Sequence, residues 1–204
     1  MYMFSGIVSA QGTIQKINPL NGGLSFFIKA PNVFLKGMGE GESICVSGVC
    51  LTMVRSSRSG FWVDLSSETL SKTFLGDLPK LARVNLERSL RFDDRCGGHF
   101  VTGHVDETSK IVEIHAEGEF VRMDIQKTSG PLVEKGSIAV DGVSLTIHEL
   151  MKDQFRLMLI PQTLRTTTLG EKKRGDPIHL EFDMLGKYVQ STIEGIYGQN
   201  TKST

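Results

Sequence analysis

Two short stretches carry side chains able to do chemistry. In GESICVSGVCLTM, residues 41–53, Cys50 stands two positions from Thr52 and shares the stretch with Ser43. A deprotonated thiol is a nucleophile or proton carrier, although a free cysteine is more often an inert small hydrophobe. In GGHFVTGH, residues 97–104, His104 supplies an imidazole that titrates near neutrality. His99 lies five positions earlier, and on an extended strand that spacing sends the two rings to opposite faces, which argues against a shared metal. His115, His148 and His179 fall in strand-like stretches with no common spacing and read as structural. No GxxxxGK[ST], no GxGxxG behind a strand and no GxSxG occurs, so phosphate-loop, dinucleotide and hydrolase readings find no support. Cys45, Cys50 and Cys96 are odd in number and lack CxxC spacing, so neither a disulfide framework nor a zinc site is expected.

The elements that must hold these groups occur twice. Residues 136–147, GSIAVDGVSLTI, repeat the first stretch, with Ser43, Gly48, Leu51 and Thr52 falling on Ser137, Gly142, Leu145 and Thr146 at an offset of 94. Upstream, Phe4 to Val8 matches Val101 to Val105 at an offset of 97, which lays Ile7 on His104. A period this long is one small domain, duplicated in tandem. Each copy reads as a hairpin whose two-residue turn, Ser47-Gly48 or Asp141-Gly142, needs positive φ. Val140 then faces Val143, Ala139 faces Ser144, Ile138 faces Leu145 and Ser137 faces Thr146. One side of the first hairpin is apolar (Ile44, Val46, Val49, Leu51) and belongs in a core; the other is Ser43, Cys45, Cys50 and Thr52. That second face is either ordinary solvent-side sheet or a platform for something flat and polar.

The remaining segments are short, evenly spaced and strand-like: Phe4 to Val8, Leu24 to Ile28 after a turn at Pro19 to Gly23, Phe61 to Leu65 and Arg83 to Leu90. The second copy gives Phe100 to Val105, Ile111 to Ala116, Phe120 to Ile125, Gln154 to Ile160 and Pro177 to Phe182. This spacing predicts small antiparallel barrels. Arg91 to Gly98 reads as a linker, and Tyr188, Val189, Ile193, Ile196 and Tyr197 recur at helical spacing before a polar tail. A lone amphipathic helix needs a partner, most economically its own copy in another subunit. With 204 residues, zero formal net charge and a pI near 7.0, the chain has the size for two cores and no electrostatic footprint for nucleic acid or an anionic membrane. No signal-peptide pattern or membrane-spanning run is visible, and a cytoplasmic location is expected.

Taken together and in order, MFSGIV, SGVCLT, DLSSETL, VNLER, GGHFVTGHVD, KGSIAVDGVSLT, IPQTLRTTTLG and a closing aspartate resemble the riboflavin synthase family over nearly the whole chain. The resemblance implies an all-β protein of two tandem six-stranded antiparallel Greek-key barrels plus a C-terminal helix at the centre of a homotrimer. The divisions expected are 1–97 and 98–187 for the barrels and 188–204 for the helix and tail. It implies no organic cofactor and no metal. The implied reaction is a dismutation: two molecules of 6,7-dimethyl-8-ribityllumazine exchange a four-carbon unit to give riboflavin and 5-amino-6-ribitylaminouracil.

By the same resemblance the first barrel contacts substrate through Cys50, Leu51, Thr52, Asp64, Leu65, Ser66, Ser67, Glu68 and Thr69. The second uses Gly103, His104, Val105, Ser144, Leu145 and Thr146, followed by Ile160, Pro161, Gln162, Thr163, Leu164 and Arg165. Gly6, Ile7 and Val8 join the second set, and Lys135 contributes from a neighbouring chain. Cys50 and His104 are the implied proton-transfer or nucleophilic groups, with Phe4, Ser43 and Asp183 at further positions tied to catalysis. Ser5 stands where the family usually has threonine, which keeps the hydroxyl. The rival reading is a non-catalytic lumazine- or flavin-binding protein on the same fold; such proteins lose motif residues in one barrel, and here both sets are present.

Overall fold

The computed structural model describes the backbone of residues 3–200 and side chains as far as Ile196; Met1, Tyr2, the Tyr197 side chain and residues 201–204 lie outside the described residues. Twelve strands form two closed antiparallel barrels. The first is built from β1 (Ala10–Leu20), β2 (Gly23–Lys29), β3 (Ser43–Val46), β4 (Val49–Ser57), β5 (Gly60–Ser66) and β6 (Arg83–Arg88), in the spatial order β1-β2-β5-β4-β3-β6. The second repeats that order with β7 (Glu107–Glu117), β8 (Phe120–Gln126), β9 (Ser137–Val140), β10 (Val143–Leu150), β11 (Gln154–Leu159) and β12 (Pro177–Phe182). A short helix α1 (Asn32–Leu35) joins β2 to β3; α2 (Ser67–Lys72) follows β5, and α3 (Pro161–Thr166) takes the same place after β11. The C-terminal helix α4 is Met184–Asn200, so it starts directly after Asp183 rather than at Tyr188.

Both hairpins pair as their sequences predict, with Ser43 opposite Thr52, Cys45 opposite Cys50, Ser137 opposite Thr146 and Ala139 opposite Ser144. Ser47, Gly48, Asp141 and Gly142 all have positive φ, as the turn demands. The apolar faces enter the cores: Ile44, Val46 and Leu51 pack with Phe26, Phe61 and Leu86, and Ile138, Val140 and Ile147 pack with Phe155, Leu157 and Leu180. Each such large side chain, fully buried, contributes about 1.5–3 kcal/mol of transfer free energy. Register shifts recur at equivalent places, Ile14/Lys16 with Ile111/Glu113 and Met53/Arg55 with Ile147/Glu149, so both copies bend their long strands alike to close.

The opening segments depart from expectation. Phe4 to Val8 and Phe100 to Val105 are not barrel strands; they meet only at an isolated bridge between Phe4 and Val101. The strands that open the barrels are Ala10–Leu20, which includes Pro19 and Leu20, and Glu107–Glu117. Gly6 and Gly103 bend these segments at φ of 73° and 76°, and their carbonyls bond outside their own barrel, to Ser144 and Cys50. Phe4, Val101, Cys45 and Ala139 form a small core of their own between the barrels.

A second clasp holds the hairpin turns in place. Asn85 on β6 donates to the Asp141 carbonyl and accepts from the Thr168 amide. Its equivalent on β12, His179, donates through Nδ1 to the Ser47 carbonyl and accepts at Nε2 from the Phe74 amide, its ring stacked 3.8 Å from that of Phe74. The tautomer follows from these partners, a carbonyl at one nitrogen and an N–H at the other. Burial pushes the imidazole pKa down, against the pull of Asp141, so it is held neutral.

Candidate active site

Cys50 and Ser144 occupy equivalent positions on the second arm of each hairpin, and each lies under the opening segment of the other repeat. The Cys50 amide donates to the Gly103 carbonyl at 2.7 Å, and the Ser144 amide donates to the Gly6 carbonyl at 2.8 Å. Only glycine permits this approach: a Cβ on Gly103 would lie 2.6 Å from the Cys50 Cβ, and one on Gly6 would lie 2.5 Å from the Ser144 Cβ. The crossing divides the expected residues differently from their order in the chain. Gly103, His104 and Val105, expected with the second barrel, line a cleft of about 310 Å³ with Val49, Cys50, Glu68, Thr69, Lys72 and Thr73 of the first. The Gly6 carbonyl meets the Ser144 amide and Val8 packs against the second core, whereas Ile7 lines a hollow of about 600 Å³ with Ser5, Ser9, Glu87 and Arg88.

In this first cleft Cys50 is half-buried, and burial raises its thiol pKa while a hydrogen bond with Ser43 works the other way. Ser43 is itself buried beside it on the small-residue face. The Ser66 hydroxyl caps α2 by accepting from the Thr69 amide, and Glu68 pairs with Lys72 one turn on at 2.9 Å. Thr52 is exposed and Asp64 points outward from β5. Leu51 and Leu65 turn into the barrel core, which leaves only their backbone for a ligand.

The equivalent place on the second barrel, the second cleft of the repeat, has the same backbone frame with other side chains. Ser144 replaces Cys50, Ile7 replaces His104, and Gln162 with Arg165 stands on α3, joined at 3.0 Å. Here His99, which the sequence reading set aside, becomes part of the site: its Nδ1 lies 2.7 Å from the Ser144 hydroxyl. Burial lowers its pKa and Asp183 raises it, while Nε2 is buried without a partner. Gly98 lies over the same serine, where a Cβ would come within 2.6 Å of Oγ. His99 and His104 therefore serve different clefts. Glycines ahead of a histidine, laid out so that they must cross a neighbouring hairpin, were the available signal.

Of the remaining expected residues, Phe4 is wholly buried with Cys45, Val101 and Ala139 in the inter-barrel core, against which Cys50 packs. Asp183 accepts from the Leu185 amide at the start of α4. Lys135 donates to the His148 carbonyl and lines neither cleft of its own chain. Sequence reasoning also passed over Glu87 and Glu181, although the repeat aligns them. Glu87 accepts from the Ser5 amide and hydroxyl and from the Gly6 amide; Glu181 accepts from the Thr102 amide and hydroxyl and from the Gly103 amide. Burial raises both carboxyl pKa values, and these bonds hold them down.

A half-open cleft on the first barrel, and the same backbone frame around Ser144 on the second, each bringing strand backbone together with short polar side chains, define a tandem-barrel binder of small hydrogen-bonding ligands. The lumazine binding domain family matches twice, over residues 5–89 and 102–183. The riboflavin synthase of Bacillus subtilis is 39% identical over 99% of this chain and 95% of its own, and that of Mycobacterium tuberculosis 42% over 92% and 96%. Among solved structures, LumP complexed with 6,7-dimethyl-8-(1'-D-ribityl) lumazine superposes with a TM-score of 0.80 at 26% identity, covering 88% of this chain and 98% of that one. LumP complexed with riboflavin gives 0.81 at 25%, over 87% and 98%. The chain belongs to the riboflavin synthase family.

Proposed function

We propose that each cleft holds one 6,7-dimethyl-8-ribityllumazine ring and that the unlike side chains of the two clefts divide donor and acceptor roles between them. The chain is a riboflavin synthase: one lumazine gives up a four-carbon unit to another, yielding riboflavin and 5-amino-6-ribitylaminouracil. The C7 methyl of the substrate is acidic because its carbanion delocalises into the ring, so the reaction needs a base, an activated acceptor and two rings held face to face. Holding both molecules in reacting geometry supplies about 7 kcal/mol or more. In the first cleft Cys50, with Ser43 at its side and His104 above it, is the nucleophilic or proton-transfer group. In the second, the Ser144 hydroxyl backed by His99 and Asp183 is the hydrogen-bonding counterpart.

The working unit in this reading is a cytoplasmic homotrimer. Leu185, Tyr188, Val189, Ile193 and Ile196 leave a largely exposed apolar stripe along α4, and Pro131, Leu132 and Val133 sit beside it. The first cleft takes in none of Ser144, His99 and Gln162, and a reacting pair formed between the first cleft of one subunit and the second of its neighbour gives that stripe a purpose. The observation that carries the whole reading is the pair of equivalent hairpin positions with unlike chemistry, Cys50 sharing a cleft with His104 and Ser144 bonded to His99. Incubation with 6,7-dimethyl-8-ribityllumazine tests it: one riboflavin should form for every two substrate molecules consumed. Retention of unchanged lumazine would instead mark a binding protein.

A further inference from the structure

We propose that Glu87 and Glu181 are positioning residues that act across the domain boundary, each completing the cleft of the barrel to which it does not belong. The inference rests on the reading of the two clefts as ligand sites. Glu181 stands on β12 of the second barrel, yet the segment it grips, Thr102 to Gly103, roofs Cys50 of the first. Glu87 stands on β6 of the first barrel, and the segment it grips, Ser5 to Gly6, roofs Ser144 of the second. Each roof is irregular backbone bent at a positive-φ glycine, so no sheet ladder fixes it. Its amides find their acceptor in one carboxylate: Oε1 of Glu181 takes the Thr102 amide at 2.6 Å and hydroxyl at 2.8 Å, and Oε2 takes the Gly103 amide at 2.9 Å. Glu87 makes the same three bonds at 2.7, 2.6 and 3.0 Å. Charge-assisted bonds of this kind are strong and directional, so the carboxylate sets where the roof lies. Through that roof Glu181 sets His104 in one cleft with Cys50, and Glu87 sets the Gly6 carbonyl on the Ser144 amide.

Glutamine is the discriminating replacement, because it keeps the shape and one acceptor but turns an NH2 toward an amide that can only donate. In full-length protein, Glu181→Gln should speed amide hydrogen exchange at Cys50 by about tenfold or more and leave Ser144 within about twofold; Glu87→Gln should do the reverse. Riboflavin serves as the ligand probe. Its protection of Cys50 from iodoacetamide should weaken about tenfold in Glu181→Gln alone, and its shift of the His99 imidazole resonance should weaken in Glu87→Gln alone. A variant that loosens only the cleft of its own barrel, or both clefts alike, overturns the proposal. If Glu181→Gln fails to fold, Thr102→Val removes a single bond to the same carboxylate and should move Cys50 exchange in the same direction with Ser144 unchanged. Amide exchange requires no ligand, so failure of the crossing is distinct from failure of the wild-type protein to form riboflavin.

Discussion

The first barrel presents a thiol and the second a hydroxyl at the same place, although one backbone plan builds both. Each has a hairpin turn at positive φ, a glycine pressed on the second arm, and a buried glutamate behind the glycine. What differs is what the plan carries. Cys50 meets His104 and the Glu68–Lys72 pair, whereas Ser144 meets His99 and lies under Gly98. The residues equivalent to Gly98 and His99 are Met1 and Tyr2, outside the described part of the first repeat. In the proposed reading, duplication of one binding unit supplies recognition for two rings, and divergence at a handful of side chains supplies the inequality that donor and acceptor roles require.

The sharpest way to break this comparison is to exchange the two groups. Cys50→Ser should lower kcat by about a hundredfold or more with ligand affinity changed only a few-fold, the pattern of a group that acts in the transition state. Adding Ser144→Cys should not restore the rate. A double exchange as active as the wild type would mean that the clefts are interchangeable.

Subunit mixing sharpens the comparison next. A Cys50→Ser chain mixed with a Ser144→Phe chain, whose second cleft is filled, should regain part of the activity, because in the proposed homotrimer a mixed assembly would set an intact first cleft against an intact second one. Cys50→Ser mixed with His104→Ala should regain none, since both changes damage the first cleft. Equal recovery in the two mixtures, with exchange verified by mass spectrometry, would refute the division of residues between the clefts.

A smaller effect separates the two halves of the inter-barrel clasp, where His179 answers Asn85. The depressed imidazole pKa means that its stabilising contribution is fully present above the unfolded value of 6.5 and is lost as pH falls from there through the folded value. Protonation would also set an N–H of Nε2 against the Phe74 amide that now donates to it. His179→Asn should therefore have the lower Tm at pH 7.5, with the gap to wild type narrowing toward pH 5. Asp141 and Lys172 flank the ring in both proteins, and Glu87 and Glu181, whose raised pKa values give the opposite slope, are also common to both. The difference between the two Tm curves then isolates His179. A gap that widens on acidification would reverse the assigned protonation state.

The hairpins were legible in the sequence because their information is local: a positive-φ turn fixes register, and alternation fixes which face is buried. Strands β5, β8, β11 and β12 were legible for the same reason. The opening segments were misread because alternation in Phe4 to Val8 looks identical whether the backbone pairs within a barrel or with a distant hairpin. The resemblance grouped His104 with the second barrel, whereas the structure lines it with Cys50 in the cleft of the first. His99, Glu87 and Glu181 act over separations of 45, 82 and 79 residues, which no local pattern encodes. The repeat nevertheless aligned Glu87 with Glu181, on the strand face opposite the core residues Leu86 and Leu180, and a carboxylate at the same strand position of both copies was the available signal.

The smallest expected effect concerns the charged pair at the rim of the first cleft. Lys72 and Glu68 have their counterparts in Thr166 and Gln162, so the second cleft carries no ion pair there. It is tempting to make this pair the electrostatic origin of the difference between the clefts. Its exposure argues otherwise: the side chains are 62% and 75% accessible, water screens them, and holding two long chains together costs entropy that offsets the attraction. Ser43 is the nearer influence on Cys50, bonded to it and buried, whereas Lys72 plays no part in the thiol's shifted pKa. Lys72→Thr should thus change first-cleft riboflavin affinity and the rate of Cys50 alkylation by less than about twofold, with little dependence on salt. Ser43→Ala should move the alkylation rate further than that. A Lys72→Thr effect of tenfold that vanished at high salt would relocate the asymmetry from the buried faces of the hairpins to the helices at their rims.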